Sequence, residues 1–441
     1  MRGEVRLSQL SLSKKLIYGM GALSMNLCDL VFLQWLYVRY APADAPSLVS
    51  PRLIGTFILL SRVGEAVIGP IIGHWSDGCR SRSGRRLPFI RRALLPWGLA
   101  IFLLWNPPFP AGHWANNVYL FAAILAYLFL YNLVVTPYLS LLPEVTSDLK
   151  ERVDLATIQA TFIMISAMTF ALMGTVLEKG GWKVMSGTVV VITIVFMLPV
   201  ALVIRERPRP ERRNEERIPF FRGLRLTLRN RAFLFMVIST SFYWFGLDII
   251  MKLLPLWVKS YLGRGEDTVT KLLLPFLAMN ILFFFVINVL SKRFGKYALL
   301  LATFLATGGS FLLMPCVGYM PFASPIIQTG IVIGVIGMAV AGFMMLPFAL
   351  LSDVVDYDER LTGRRREAIY FGFQGTFQKI TLGISSFTFG QLAYAPGGST
   401  VSVGGLRLVA ALAGVASLIG FCVFLPYPLR ERGGKLVVHG E

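Results

Sequence analysis

Residues 61–89 read SRVGEAVIGPIIGHWSDGCRSRSGRRLPF, and the stretch changes character halfway along. Its first part continues the apolar run LIGTFILL at 53–60, and together they are long enough to cross about 30 Å of hydrocarbon as a helix. Its second part is a loop dense in arginine and glycine, after which a new apolar segment begins. Arg62 and Glu65 stand inside the apolar part. An ionisable side chain at bilayer depth costs about 2.5–3.5 kcal/mol on insertion scales, which is tolerable where it faces a cavity or a partner. At i, i+3 the two share one helix face. They form either a local ion pair that neutralises both or, at Glu65, a group that titrates or binds a cation.

The rest of the chain repeats this pattern of apolar span and basic loop. Of 441 residues, 55% are hydrophobic and only 15% charged, where a soluble domain carries roughly 25%. Apolar stretches fall at 16–38, 53–75, 93–108, 116–142, 154–178, 184–204, 232–258, 269–290, 297–314, 324–350, 367–394 and 405–427. The expected fold is therefore all-α and integral to a membrane, with twelve transmembrane helices. The first span carries Asn26, Asp29 and Gln34 with no small-residue cleavage site after it, and reads as a retained helix. Cys28, Cys79, Cys316 and Cys422 are scattered without metal-ligand spacing and read as inert thiols.

The net charge of +19 is explained by topology. When the spans are threaded alternately, 32 of the 43 Lys and Arg fall on one side, with both termini. The other side receives 8, and Arg62, Lys252 and Lys379 stay within spans. That asymmetry follows the positive-inside rule and predicts cytoplasmic termini in a plasma or inner membrane. Nucleic acid need not be invoked as a partner.

Residues 205–231 divide the chain into a first six-helix bundle at 1–204 and a second at 232–441 with a short tail. The linker is Pro- and Arg-rich. Ile218, Phe221, Leu224 and Leu228 then recur at helical spacing, as in a helix lying on the membrane surface or an ordinary basic loop near headgroups. The loops GHWSDGCRSRSGRRLP at 73–88 and NVLSKRFGKYALL at 288–300 echo each other about half a chain apart, as in transporters built from two repeated halves.

The pattern G-x-x-S-D-x-G-R-R in the first of these loops resembles the signature of the major facilitator superfamily. Four further segments resemble its glycoside–pentoside–hexuronide cation symporters, the melibiose-permease-like branch: YGMGALSMN (18–26), TPYLSLLPE (136–144), ERVDL (151–155) and LLSDVVDYDERLTGRRREAIYFGFQGTFQK (350–379). The resemblance implies two pseudo-symmetric six-helix halves, a monomer, and cation-coupled symport of a small organic solute by alternating access. It implies no cofactor or metal beyond the coupling H+ or Na+.

In that family, span two carries two acids four residues apart, which hold the cation with groups from span four. The first matches Glu65 and the second Gly69. A nearby amide position holds Ile68, and the span-four hydroxyl position holds Asn132. One carboxylate and one amide make a thin shell for sodium, whereas a lone membrane glutamate can hold a proton. Proton coupling through Glu65 is therefore favoured over sodium, with Arg62, Asn132 and Lys379 as its associated groups. Lys379 matches the span-eleven lysine that reaches towards the span-two acids.

The family's sugar-binding acids, in spans one and four, match Asn26 and Val135. Its basic residue in span five matches Gln159 or its neighbour Ala160. With all three charges gone a galactoside is not expected. Another sugar or glycoside remains, and so does an amphipathic solute such as a lysophospholipid. Asn26, Asp29, Gln159, Tyr138, Trp244, Asp248 and Gln374 are the candidate substrate-facing residues. Asp248 and Lys252, at i, i+4, also suit a self-contained pair. Asp77, Arg85, Arg86, Asp353, Asp356 and Arg365 are candidate gate residues in the loops after spans two and ten. Gly330, Gly334 and Pro347 suit a closely packed, kinked tenth span. An integral membrane enzyme is the alternative from another class. It lacks support, because His74, His113 and His439 are dispersed and no catalytic motif is present.

Overall fold

The computed structural model describes residues 10–79, 81, 84–146, 149–204, 206, 227–363, 366–395, 400–432 and 435–438. The long helices are α1 (Leu12–Tyr40), α2 (Pro51–Gly78), α3 (Leu87–Trp105), α4 (Ala115–Ser140), which a four-residue turn of helix at Leu142–Val145 follows, α5 (Leu149–Ala171), α6 (Met173–Val203) and α7 (Arg231–Ser260). They continue with α8 (Asp267–Phe294), α9 (Lys296–Leu313), α10 (Pro325–Val340), α11 (Leu346–Thr362), α12 (Glu367–Leu392) and α13 (Val403–Phe424). A two-stranded antiparallel hairpin, β1 (Leu429–Arg432) and β2 (Lys435–Val438), follows; Leu429 pairs with Val438.

Eleven segments among the described residues are long and apolar enough to cross a membrane, with α10 and α11 counted as one broken span from Pro325 to Thr362. The remaining span, α12, carries Gln374, Gln378 and Lys379 along its middle and is too polar for that measure. The break in span ten is a 3-10 turn at Ala341–Met344, just before Pro347. Pro347 lacks the N–H that a continuous helix would need. Span three begins earlier than its apolar run, at Leu87, where Pro88 fits the unsatisfied first turn. Span six is also longer than its apolar run and contains Gly181 at φ 68°, a left-handed conformation that glycine adopts without a Cβ penalty. The surface helix expected within 205–231 lies almost wholly outside the described residues.

The chain forms two compact units. The first comprises Met1–Leu36, Gly64–Phe109 and Trp114–Arg213. In it α3 packs on α4 and α6. Tyr138 of α4 donates to the Tyr18 carbonyl of α1 at 2.8 Å and Tyr127 to that of Cys28 at 2.9 Å. Trp105 stacks on Trp182, and the Asn106 amide donates to Ser186 Oγ at 2.9 Å.

The second unit comprises Tyr37–Val63, Pro110–His113 and Asn214–Glu441. Here α7 packs on α13 and α12, and α8 on α10. The last turn of α1 and the first half of α2 belong to this unit. Tyr37 donates to the Ser386 carbonyl at 2.6 Å and Tyr394 to that of Ala41 at 3.0 Å. Gly337 of α10 lies against the backbone of Phe276, where any Cβ would overlap the Phe276 carbonyl. Gly337→Val therefore forces α8 and α10 apart. A loss of about 1–3 kcal/mol is expected from overpacking, read as a lower unfolding temperature in detergent; an unchanged temperature would show that the contact yields.

Candidate functional site: a buried carboxylate on span two

Glu65 lies on α2, one turn past Arg62, and each is 2% exposed. In the first unit, the Asn132 amide of α4 donates to Glu65 Oε1 at 3.1 Å. The same Nδ2 donates to the Leu128 carbonyl one turn back on α4, at 2.7 Å. That second bond fixes the rotation of the amide. Its N–H face, not its oxygen, meets the carboxylate. A hydrogen bond to a charged group is worth about 1.5–3 kcal/mol, and this one ties α2 to α4 within the unit.

One turn further along, the position of Gly69 opens into empty space, as do those of Gly64 and Gly73. A side chain would fit at Gly69. The shortened shell read from the sequence is therefore a matter of chemistry and not of crowding. Arg62 belongs to the second unit, packed on α12 where a Cβ at Gly383 would meet its own Cβ. Lys379 of α12 is half-buried in that unit.

The candidate substrate residues fall in both units. Asn26 of α1 is half-buried, and its Oδ1 has no hydrogen-bond partner among the described residues. Asp29 is half-buried as well. Tyr138 is wholly buried and stacked on Tyr18, while Gln159 is half-buried and bonds its hydroxyl. Val135 is buried. In the second unit Gln374 is buried, and Trp244 is half-buried, set edge-on to Tyr243 and to Phe343 of the span-ten break. Asp248 is buried in a bonded cluster with Lys252 and with Ser385 of α12. Ser385 was not legible as a partner, because 137 residues separate it from Asp248.

The loops after spans two and eight are each anchored by an acid that charge patterning did not single out or did not pair. In the first unit Glu206, just past α6, accepts from the backbone N–H groups of Arg85, Arg86 and Leu87 at 2.6, 2.8 and 2.8 Å. These are the unsatisfied donors at the start of α3. Gly84, at φ 105°, leaves room where a Cβ would strike the carboxylate. In the second unit Lys296 donates to both oxygens of Asp353 at 2.8 and 2.7 Å. Nearby, Arg366 grips Asp358 through two bonds of 2.9 and 2.6 Å. Asp356 is exposed. The Asp77 side chain and Arg365 lie outside the described residues.

Glu206→Ala removes three charge-assisted bonds and leaves the first turn of α3 uncapped, a loss of about 0.5–2 kcal/mol for a helix cap. Hydrogen exchange should accelerate at the amides of residues 85–87 and stay unchanged at 97–105. Unchanged protection at 85–87 would show that water replaces the carboxylate without loss.

A family model described as MFS/sugar transport protein matches residues 17–429. The chain is 26% identical over 393 residues to the isoprimeverose transporter of Lactiplantibacillus pentosus, covering 85% of this chain and 79% of that one. It is 24% identical over 490 residues to the sodium-dependent lysophosphatidylcholine symporter 1 of Homo sapiens, covering 96% and 87%. Its backbone is similar to that of a D-xylose–proton symporter at a TM-score of 0.66 and 14% identity, over 91% of this chain and 96% of that one. At that identity the structural likeness is one of fold.

Proposed function

The chain belongs to the MFS/sugar transport protein family, and from that premise we propose that it is a proton-coupled symporter of a neutral sugar or glycoside. Both termini are cytoplasmic in this reading, in the plasma or inner membrane, and transport proceeds by alternating access in a monomer. The observation that carries the coupling is the Asn132 amide, which presents its N–H face to Glu65. Sodium needs oxygens there. A carboxylate held by an amide donor and lacking a second acid at Gly69 is suited to take up a proton and give it back.

In the first unit Asn26, with an unpartnered carbonyl oxygen, and Gln159 are neutral hydrogen-bonding groups suited to hydroxyls, as is the Gln374 amide within the second. Trp244 supplies an aromatic face for the apolar side of a sugar ring. Similarity to an isoprimeverose transporter supports this substrate class. A second reading, an amphipathic solute such as a lysophospholipid, is favoured by the match across 96% of the chain to a lysophosphatidylcholine symporter and by the missing sugar-binding carboxylates.

Thermal unfolding of the purified protein against a panel of pentosides, hexosides and lysophosphatidylcholine separates the two. A ligand at a hundred times its Kd raises stability by about 2.7 kcal/mol. A shift with a glycoside and none with the lysolipid is expected; the reverse would replace the first reading with the second.

A further inference from the structure

The connection between α9 and α10, residues 314–324, belongs to the second unit and takes no part in the site around Glu65. It is nonetheless firmly held. A 3-10 turn at Met314–Cys316 opens it. Gln328 of α10, 2% exposed, gathers the rest. Its Oε1 accepts from the Gly318 N–H at 2.7 Å, and its Nε2 donates to the carbonyls of Met320, Phe322 and Ala323 at 3.0, 2.7 and 3.1 Å. Ala323 is kept at φ 57°, a left-handed conformation that a residue with a Cβ rarely enters. The side chains this loop holds outward are aromatic: Tyr319 is 78% exposed and Phe322 49%.

Beside the loop stands a cation. Arg407, in the second turn of α13, is half-buried. Its Nη1 donates to the Pro315 carbonyl and its Nη2 to that of Val317, each at 3.0 Å, which engages two of the five N–H donors of a guanidinium. Three rings surround it: the centroid of Tyr319 is 4.2 Å from Cζ, that of Tyr261 5.3 Å and that of Trp257 5.8 Å. Ring faces attract and orient such a charge but do not neutralise it. No carboxylate pairs with Arg407 among the described residues. Helix α13 contains no acid, and Glu266, just beyond α7, pairs with Lys259 at 3.3 Å. A half-buried cation with donors to spare calls for an anion.

The surroundings say which anion. Helices α7, α9, α10 and α13 are all long and apolar enough to span a membrane, and the cluster stands at their ends. Trp257 and Tyr261 close α7, the turn at Met314–Cys316 closes α9, Pro325 opens α10, and Arg407 lies near the start of α13. Next to these residues in the chain, Leu313, Ile327, Ile331 and Leu408 are exposed, an apolar surface of the kind that hydrocarbon covers. The layer that meets the ends of such spans is made of phospholipid headgroups. Tyr and Trp concentrate there, and phosphate oxygens are its acceptors.

We propose that Arg407, with the rings and the loop around it, is a binding site for the phosphate of a bilayer phospholipid. The donors left over on the guanidinium form charge-assisted bonds to phosphate oxygens, while Tyr319 and Phe322 seat in the interface beside the headgroup. Gln328 fixes the loop beforehand, so little ordering is lost when the lipid arrives. A lipid so held fastens this end of α7, α9 and α13 to the membrane surface.

The test is thermal unfolding of the full-length protein in maltoside detergent against three titrants: dioctanoyl phosphatidylglycerol, dioctanoylglycerol and inorganic phosphate. The first carries chains and phosphate, the second the chains alone, and the third the phosphate alone. A saturable rise in unfolding temperature with phosphatidylglycerol is expected, at concentrations where neither of the others acts. Arg407→Gln should raise its midpoint about tenfold, as the loss of a hydrogen bond to a charged group does. An equal rise with inorganic phosphate would make this a site for free phosphate and overturn the lipid assignment. An equal rise with dioctanoylglycerol, or an unchanged midpoint in Arg407→Gln, would overturn the phosphate contact. A second measurement holds even if Arg407→Gln fails to fold. Phe322→Cys, with the four native cysteines replaced by serine, carries an environment-sensitive fluorophore in phosphatidylglycerol–phosphatidylcholine vesicles. Quenching by a headgroup nitroxide lipid should exceed quenching by aqueous iodide; strong quenching by iodide and none by the lipid would place the loop in water and overturn the site.

Discussion

Replacing Glu65 by glutamine is expected to abolish accumulation of a labelled glycoside against its gradient and to leave exchange across the membrane intact. The reason lies in what each assay demands of the carboxyl. Exchange of internal for external solute returns the loaded carrier without net proton movement, and the glutamine amide imitates the loaded, uncharged glutamic acid. Accumulation demands release of the proton on the inner side, which an amide cannot perform. The driving force at stake is about 1.4 kcal/mol per proton for each pH unit across the membrane, or about tenfold in concentration. The wild type should reach that ratio and the variant should stop at equality. Loss of both activities together would make Glu65 a structural residue whose burial beside Asn132 serves only packing.

The second large effect is a gain. Gly69→Asp places a carboxylate one helical turn from Glu65, on the same face, at a position where a side chain meets open space. Two carboxylates supply the oxygen ligands that one acid and an amide donor do not. Sodium should then stimulate transport at constant pH, an effect not expected of the parent. Without sodium the two like charges repel, by about 0.2–0.5 kcal/mol on an exposed helix and more where water is excluded. The variant should therefore unfold at a lower temperature and recover with sodium but not with choline. Sodium-independent behaviour in both transport and unfolding would mean that Gly69 does not face the coupling site.

Much of the architecture could be read from the sequence, and the reasons are local. Apolar length marks each span, and Pro347 marks the break in span ten. Helix α12 was read as a span over 367–394, although Gln374, Gln378 and Lys379 dilute its hydropathy. The hairpin after α13 was not anticipated, since LRERGGKLVV is too short and too charged to declare itself. At the sites, spacing of three or four residues picked out Arg62 with Glu65 and Asp248 with Lys252. The partners that give those groups meaning come from far along the chain. Asn132 is 67 residues from Glu65, Ser385 is 137 from Asp248, and Glu206 is 119–121 from the amides it caps. Helical periodicity says nothing about such pairs; only packing brings them together. The orientation of the Asn132 amide was equally hidden, because the Leu128 carbonyl sets it.

The central claim is that a proton, held at Glu65, drives this transporter. The most direct measurement is uptake of a labelled glycoside into proteoliposomes of the wild-type protein. An inward pH gradient is imposed in sodium-free buffer, and an inward sodium gradient at equal pH is imposed in a parallel set. Concentrative uptake under the pH gradient alone, abolished by a protonophore, is the predicted result. Concentrative uptake under the sodium gradient and none under the pH gradient would contradict it, and would require oxygen ligands for sodium around Glu65 other than the amide that Asn132 presents.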